Sequence, residues 1–196
     1  NWSFSANAAF GAVSVDWLSA GRFPGIQNSY YEGFTGYGGF VSKQIRRGVV
    51  VALLDPLTGH FQQNPIGSPT NPSPLFPLHF HHFDTNDSLK RVALMNFLQQ
   101  DIPNGWYVAL LALKNPAQDS LGFSPEKWAA DSLSYGTNLF QLLEQRGARQ
   151  VRDLQTLGSK PYGLIFRQND PSFQAVDTVV LAPVQAVELR RNFLAK

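Results

Sequence analysis

The 196-residue chain contains no cysteine. Disulfides, thiolate-bound zinc, iron–sulfur clusters and thiol nucleophiles are excluded by that one absence. Charge is scarce as well: Asp, Glu, Lys and Arg make up 15% of the residues, against roughly 25% in an average globular protein. The net charge is +2, and no basic run exceeds two residues (Arg46-Arg47, Arg190-Arg191). Nucleic acid recognition needs a basic stripe, so no nucleic-acid partner is expected. No stretch approaches the ~18 to 20 apolar residues of a transmembrane helix, so no membrane span is expected. The phosphate-loop motif G-x-x-x-x-G-K-[ST] and the nucleophile elbow G-x-S-x-G are both missing.

What the chain does have is bulk. Apolar residues make up 43% and include 15 Phe, while 12 Asn and 14 Gln supply much of the polarity. So many aromatics demand burial, and the length suits a single domain over 1–196 with a sizeable core. The chain opens at Asn1-Trp2-Ser3 with neither an initiator Met nor a signal peptide. It is therefore read as a mature chain or a piece excised from a larger protein.

Residues 1–44 form an aromatic and Gly-rich β region, in which Ala12 to Trp17 alternates like a strand. The Tyr30 to Phe40 segment, aromatics spaced by glycine, fits turns between short strands. Val49 to Leu54 is a continuous aliphatic run and so a buried strand. Asp55-Pro56-Leu57-Thr58-Gly59 then turns the chain, and His60 to Gln63 would be the returning arm of a hairpin. Five prolines punctuate the insertion 64–77 (Pro65, Pro69, Pro72, Pro74, Pro77), which reads as a dispensable surface excursion. Strand character resumes over Leu78 to Phe83. Helical spacing follows over Ser88 to Gln100, a strand over Trp106 to Leu113, and one helix from Pro125 to Leu143 closed by Arg146-Gly147. Tyr162 to Arg167, Val176 to Leu181 and Val184 to Leu194 read as three more strands. The C-terminal strands occupy 169–196, and the core lies in 45–168.

Candidate chemistry is sparse. On a strand, His79 and His81 share a face that could offer two imidazoles to a metal, with His60 or Asp84 as a third ligand. The same pattern also describes a solvated strand face. Asp84 to Asp87 has carboxylates but lacks the Gly and terminal Glu of a calcium loop, and helix capping explains it more simply. No metal and no cofactor are expected, and the fold should form without either. None of the 14 acids sits in a recognisable catalytic motif. Flat aromatics with amide and Arg donors suit a polyhydroxylated ligand better.

Five motifs recur in order. They are Arg47-Gly48 before the strand Val49 to Leu54; Thr58-Gly59; Phe83-Asp84-Thr85 before a helix; Ile102-Pro103-Asn104-Gly105 before the strand Trp106 to Lys114; and the helix ending Leu143 to Arg149. In this order and spacing, residues 47 to 167 resemble the interleukin-like EMT inducer domain. That domain is found in secreted cytokine-like proteins, in the stem of the protein O-mannose N-acetylglucosaminyltransferase and in bacterial surface proteins. The resemblance implies an α+β fold of two small antiparallel β-sheets with helices packed against them, and no catalysis by this chain, although the parent protein may be an enzyme. It also implies a lectin-like site for β-linked N-acetylglucosamine built from two arginines and an aspartate. Residue by residue, the first arginine matches Arg47 and the aspartate falls on Asn115. The second falls near Leu157 or Ser159, neither of which replaces it. The implied carbohydrate site is thus Arg47, Asn115 and Ser159, partly retained. Some bacterial relatives accompany gingipain-like peptidase modules of type IX secretion.

The expected function is a non-catalytic carbohydrate-binding or accessory domain, extracellular or on the cell surface, whose partner is a glycan or a neighbouring module. The alternative is a structural or interaction module of a type IX secretion-associated peptidase protein, with a metal-dependent hydrolase using His79 and His81 third.

Overall fold

The computed structural model describes residues 2–9, 12–19, 28–30, 47–57, 62–65, 67–70, 80–114, 123–179 and 187–193. Three strands come first: β1 Trp2–Ala9, β2 Ala12–Ser19 and β3 Asn28–Tyr30. After β4 Arg47–Leu54 and β5 Phe80–Phe83 comes helix α1 Ser88–Asn96, which runs into a π-helical turn over Phe97–Asp101. Strand β6 Tyr107–Lys114 is followed by α2 Pro125–Tyr135, α3 Leu139–Gln145 and α4 Asp153–Leu157. Strands β7 Tyr162–Arg167, β8 Val176–Val179 and β9 Val187–Phe193 complete the order.

The chain is α+β, with a five-stranded antiparallel sheet in the order β5-β4-β6-β7-β8. This corrects one expectation: the core does not split into two small sheets, because β6 pairs along its whole length with β4 and from Tyr107 to Ala112 with the whole of β7, leaving no boundary between sheets. The flanking strands form a separate four-stranded arrangement, β3-β2-β1-β9, to which the core contributes no strand.

Pairing over full length follows from the aliphatic runs. Val49, Val51, Leu53, Val108, Leu110 and Leu164 face the helices and pack on Leu94, Leu98, Trp128 and Phe140. Their alternates Val50, Ala52, Leu54, Ala109, Leu111 and Ile165 are also buried, at 1% exposure or less. On that second face β1 lies against β6 and β7, and β9 against β7 and β8. Strands covered on both sides read as unbroken hydrophobic runs, and each fully buried Leu or Val stabilises by roughly 1.5 to 3 kcal/mol.

Asp87 caps α1, its side chain accepting from Leu89 N at 2.8 Å, as the capping reading requires. The single helix expected from Pro125 to Leu143 is instead two. Gly136 takes φ +70 at the end of α2, a left-handed conformation that suits glycine. Asn138 and Gln141 then form a reciprocal capping box that starts α3. The expected returning arm at His60 to Gln63 is not a strand at Gln62 and Gln63; the partners of β4 are β5 and β6. At Gly48, φ is +114 and a Cβ would stand 2.2 Å from the Phe83 carbonyl oxygen, so only glycine fits where the pairing of β4 with β5 ends. The turns expected in Tyr30 to Phe40 fall, after Tyr30, outside the described residues.

The helical layer holds a buried ion pair. Arg91 on α1 meets Asp131 on α2 with both arms, Nε–Oδ2 2.7 Å and Nη2–Oδ1 2.8 Å, and its Nη1 donates to Thr85 O at 3.0 Å. Exposures of 7% and 5% put both groups inside the protein. Asp131→Ala would strand a guanidinium in the core and should cost roughly 3 to 5 kcal/mol. The double variant Arg91→Met/Asp131→Leu should regain most of that loss. Urea unfolding of the three proteins checks this, and a double variant as unstable as the single would show that packing, not stranded charge, sets the cost.

Candidate functional site

Arg47 and Lys114 are register partners, the first residue of β4 beside the last of β6. Tyr162, at the start of β7, pairs with Ala112 nearby. One end of the five-stranded sheet therefore carries Arg47 and Lys114, the residue preceding Asn115, while Ser159 stands three positions before β7 in the chain. Asn115 itself lies outside the described residues. The half-buried Ser159 accepts from Phe123 N at 3.0 Å through its Oγ, so part of its hydrogen-bonding capacity already ties down the segment that leads into α2. Leu157, the other position considered for the second arginine, ends α4 with 37% exposure.

The opposite end of the sheet holds a pocket of about 380 Å³ between the end of α3 and the β7–β8 turn. Glu144, Arg146, Arg167, Asn169, Asp170 and Phe173 are among its walls. Arg167 is held rigidly: Nε donates to Gly105 O at 2.7 Å, Nη1 pairs with Asp170 Oδ2 at 2.8 Å, and the guanidinium lies 5.1 Å above the Tyr107 ring. Asp170 also accepts from the Ser172 hydroxyl at 2.6 Å, the largest of the influences holding its carboxyl below the usual range. Glu144 is gripped by Arg152 at 2.7 and 2.8 Å, and that bidentate bond lowers its pKa. Asn169 has φ +53, the one positive value outside glycine among the described residues. Asn tolerates this region, and its Nδ2 donates to Asn104 Oδ1 at 2.6 Å. None of these residues was singled out from the sequence as a binding group. The motif Gln145-Arg146-Gly147 was visible only as a helix end, and Arg167 only as the end of a strand.

Comparison with known proteins adds no assignment: no protein-family model matches the chain, and no curated protein matches it.

The histidine cluster divides. His60 and His79 lie outside the described residues. His81 pairs with Val51 and shares its face toward the helices, its ring 4.6 Å from that of Phe97. Its Nδ1 lies 3.0 Å from Thr70 Oγ1, and its exposure is 8%. His82 alternates to the other face, beside Val50. Among the described residues no three His, Asp or Glu side chains converge as metal ligands would. The Thr70 contact belongs to the first part of the insertion 64–77, whose residues 71–77 lie outside the described residues. Buried Asn64 accepts from Ser68 Oγ at 2.6 Å and donates to Thr70 Oγ1 at 3.1 Å, while Thr70 O accepts from His82 N at 2.9 Å. Thr70 is thereby docked on β5, with Asn64 and Ser68 bonded to it and to one another.

Burial lowers the His81 pKa from 6.5 to about 4. Between those values the unfolded chain binds the proton and the folded protein does not, so stability rises with pH through that window. His81 therefore leaves stability intact above pH 6.5 and reduces it as the pH falls toward 4, by up to about 3 kcal/mol. His81→Gln cannot titrate, so the fall in urea-unfolding free energy between pH about 7 and 4.5 should be visibly smaller in that variant. Equal falls in both proteins would locate the acid sensitivity elsewhere.

Proposed function

We propose that this chain is a non-catalytic carbohydrate-binding accessory domain of a larger secreted or cell-surface protein, of the interleukin-like EMT inducer type. The observation that carries the reading is the register Arg47–Lys114, which sets Arg47 beside the residue preceding Asn115 at one end of the sheet. A planar guanidinium and an amide, brought close together, can meet the vicinal hydroxyls of a sugar. Ser159, which stands three positions before β7, would add a hydroxyl to such a site. Support also comes from the acids. Asp131 and Glu144 are spent on arginine partners, and Asp177 accepts from Arg149 N, Gln150 N and the Tyr162 hydroxyl. Carboxylates so occupied serve structure rather than proton transfer.

With one arginine and one carboxylate fewer than the family's site, affinity should be weak. A millimolar dissociation constant, about −4 kcal/mol, is the expected scale. Titrating the labelled protein with a β-N-acetylglucosaminide should shift amides of residues around 47–48, 114–115 and 159 in its NMR spectrum. Arg47→Ala should abolish those shifts and leave the rest of the spectrum unchanged, since a hydrogen bond from a charged group contributes roughly 1.5 to 3 kcal/mol. Shifts that survive the substitution, or that map elsewhere, would favour the alternative role as an interaction module.

A further inference from the structure

Among the described residues, the pocket at the far end of the sheet contains one cation without a counter-ion. Its two acids are committed: Glu144 to Arg152 and Asp170 to Arg167. Arg146 is the residue at the C-terminal cap of α3, and its guanidinium has one hydrogen-bond partner among the described residues, the Leu98 carbonyl oxygen, 2.9 Å from Nη2. Its Nε is buried and has no partner among the described residues. The Leu98 oxygen also accepts from Gln168 Nε2 at 3.0 Å. Five residues on from Leu98 stands Pro103, which has no N–H to complete a π-helical bond. Two side chains therefore meet this carbonyl, and they fix the position of Arg146. Burial lowers the pKa of its guanidinium, with no carboxylate acting in the other direction.

We infer that this pocket is a second binding site, for a ligand bearing a carboxylate, with Arg146 as the charge partner. A partly desolvated cation held by a backbone carbonyl gains most when a monoanion joins it, because the charge-assisted bond forms between groups already positioned. A doubly charged phosphate fits less well: Glu144 and Asp170 stand in the same wall, and the negative end of α3 points there. Phe173 gives the pocket an apolar wall, and its volume of about 380 Å³ suits a ligand no larger than a sugar acid or a chain-terminal residue. Both share the carboxylate, so the experiment separates them. The site is independent of Arg47, which lies at the other end of β4.

The test is NMR titration of the labelled full chain with N-acetylglycine and with glucuronate. Each is compared with a neutral counterpart, N-acetylglycinamide or glucose. Amides of Gly147, Asn169 and Asp170 should shift with an acid and not with its neutral counterpart, and the acid producing saturation at lower concentration identifies the source. Arg146→Gln should weaken that response at least about tenfold; Arg146→Lys should keep part of it; Arg47→Ala should leave it unchanged even if the sugar response is lost. Should Arg146→Gln fail to fold, the wild-type contrast between acid and neutral probe decides, read at the Arg146 side-chain resonance. Equal shifts from acid and neutral probe, no shift at tens of millimolar, or a response unaltered in folded Arg146→Gln would each overturn the assignment. In any of those cases Arg146 only ties α3 to Leu98.

Discussion

Burial of β4, β6 and β7 on both faces is the constraint that the rest of the fold serves. Val49 to Leu54 and Val108 to Leu111 have no polar face to offer water, so both sides of the sheet must be covered. One side takes the helices, packed through Trp128, Phe140 and Leu98. On the other, β1 and β9 lie across β6, β7 and β8. The cover brings together two strands far apart in sequence, and β1 pairs with β9 in antiparallel register. Gly48 belongs to the same constraint, because the Phe83 carbonyl at the end of β5 comes so close to β4 that no Cβ fits there.

With covering layers on both faces, function is left to the strand ends and the turns. There the few charges are placed with economy. Arg91–Asp131 joins two helices inside the protein, whereas Arg152–Glu144 and Arg167–Asp170 hold turns near the surface. Exposed pairs add little stability individually, but they fix which groups stay available. The two ends of the sheet differ accordingly. One presents Arg47 beside Lys114 on adjoining strands. The other gathers Arg146, Arg167 and Asn169 on the helix end and turn that close the core.

Elements whose evidence is local were readable from the residues. The aliphatic runs became β4 and β6, Asp87 became a cap, and Arg146-Gly147 closed a helix because a few neighbouring residues decide each. The division of Pro125 to Leu143 into two helices was equally local, signalled by Gly136 and by the Asn138/Gln141 pair, but apolar spacing continues through the break and masks it. Helix α4 is only five residues long, too short for its periodicity to register. His81 shows the opposite case. Its alternation with His79 suggested a shared ligand face, yet its contacts are Phe97 and Thr70, brought in by a helix and by the proline-rich segment.

What the sequence by itself determined is the class of the protein and its interior: an α+β chain without thiol chemistry, built on strands too apolar to face water. Those properties depend on composition and on periods of two to four residues, which no distant contact can change. Only the tertiary structure decided that the core strands form one sheet, that Arg91 finds Asp131 40 positions away, and that Leu98 O brings Arg146 and Gln168 together. Charge pairing and pocket walls depend on which residues meet in space, and a guanidinium in a sequence looks the same whether it is paired, buried or waiting for an anion.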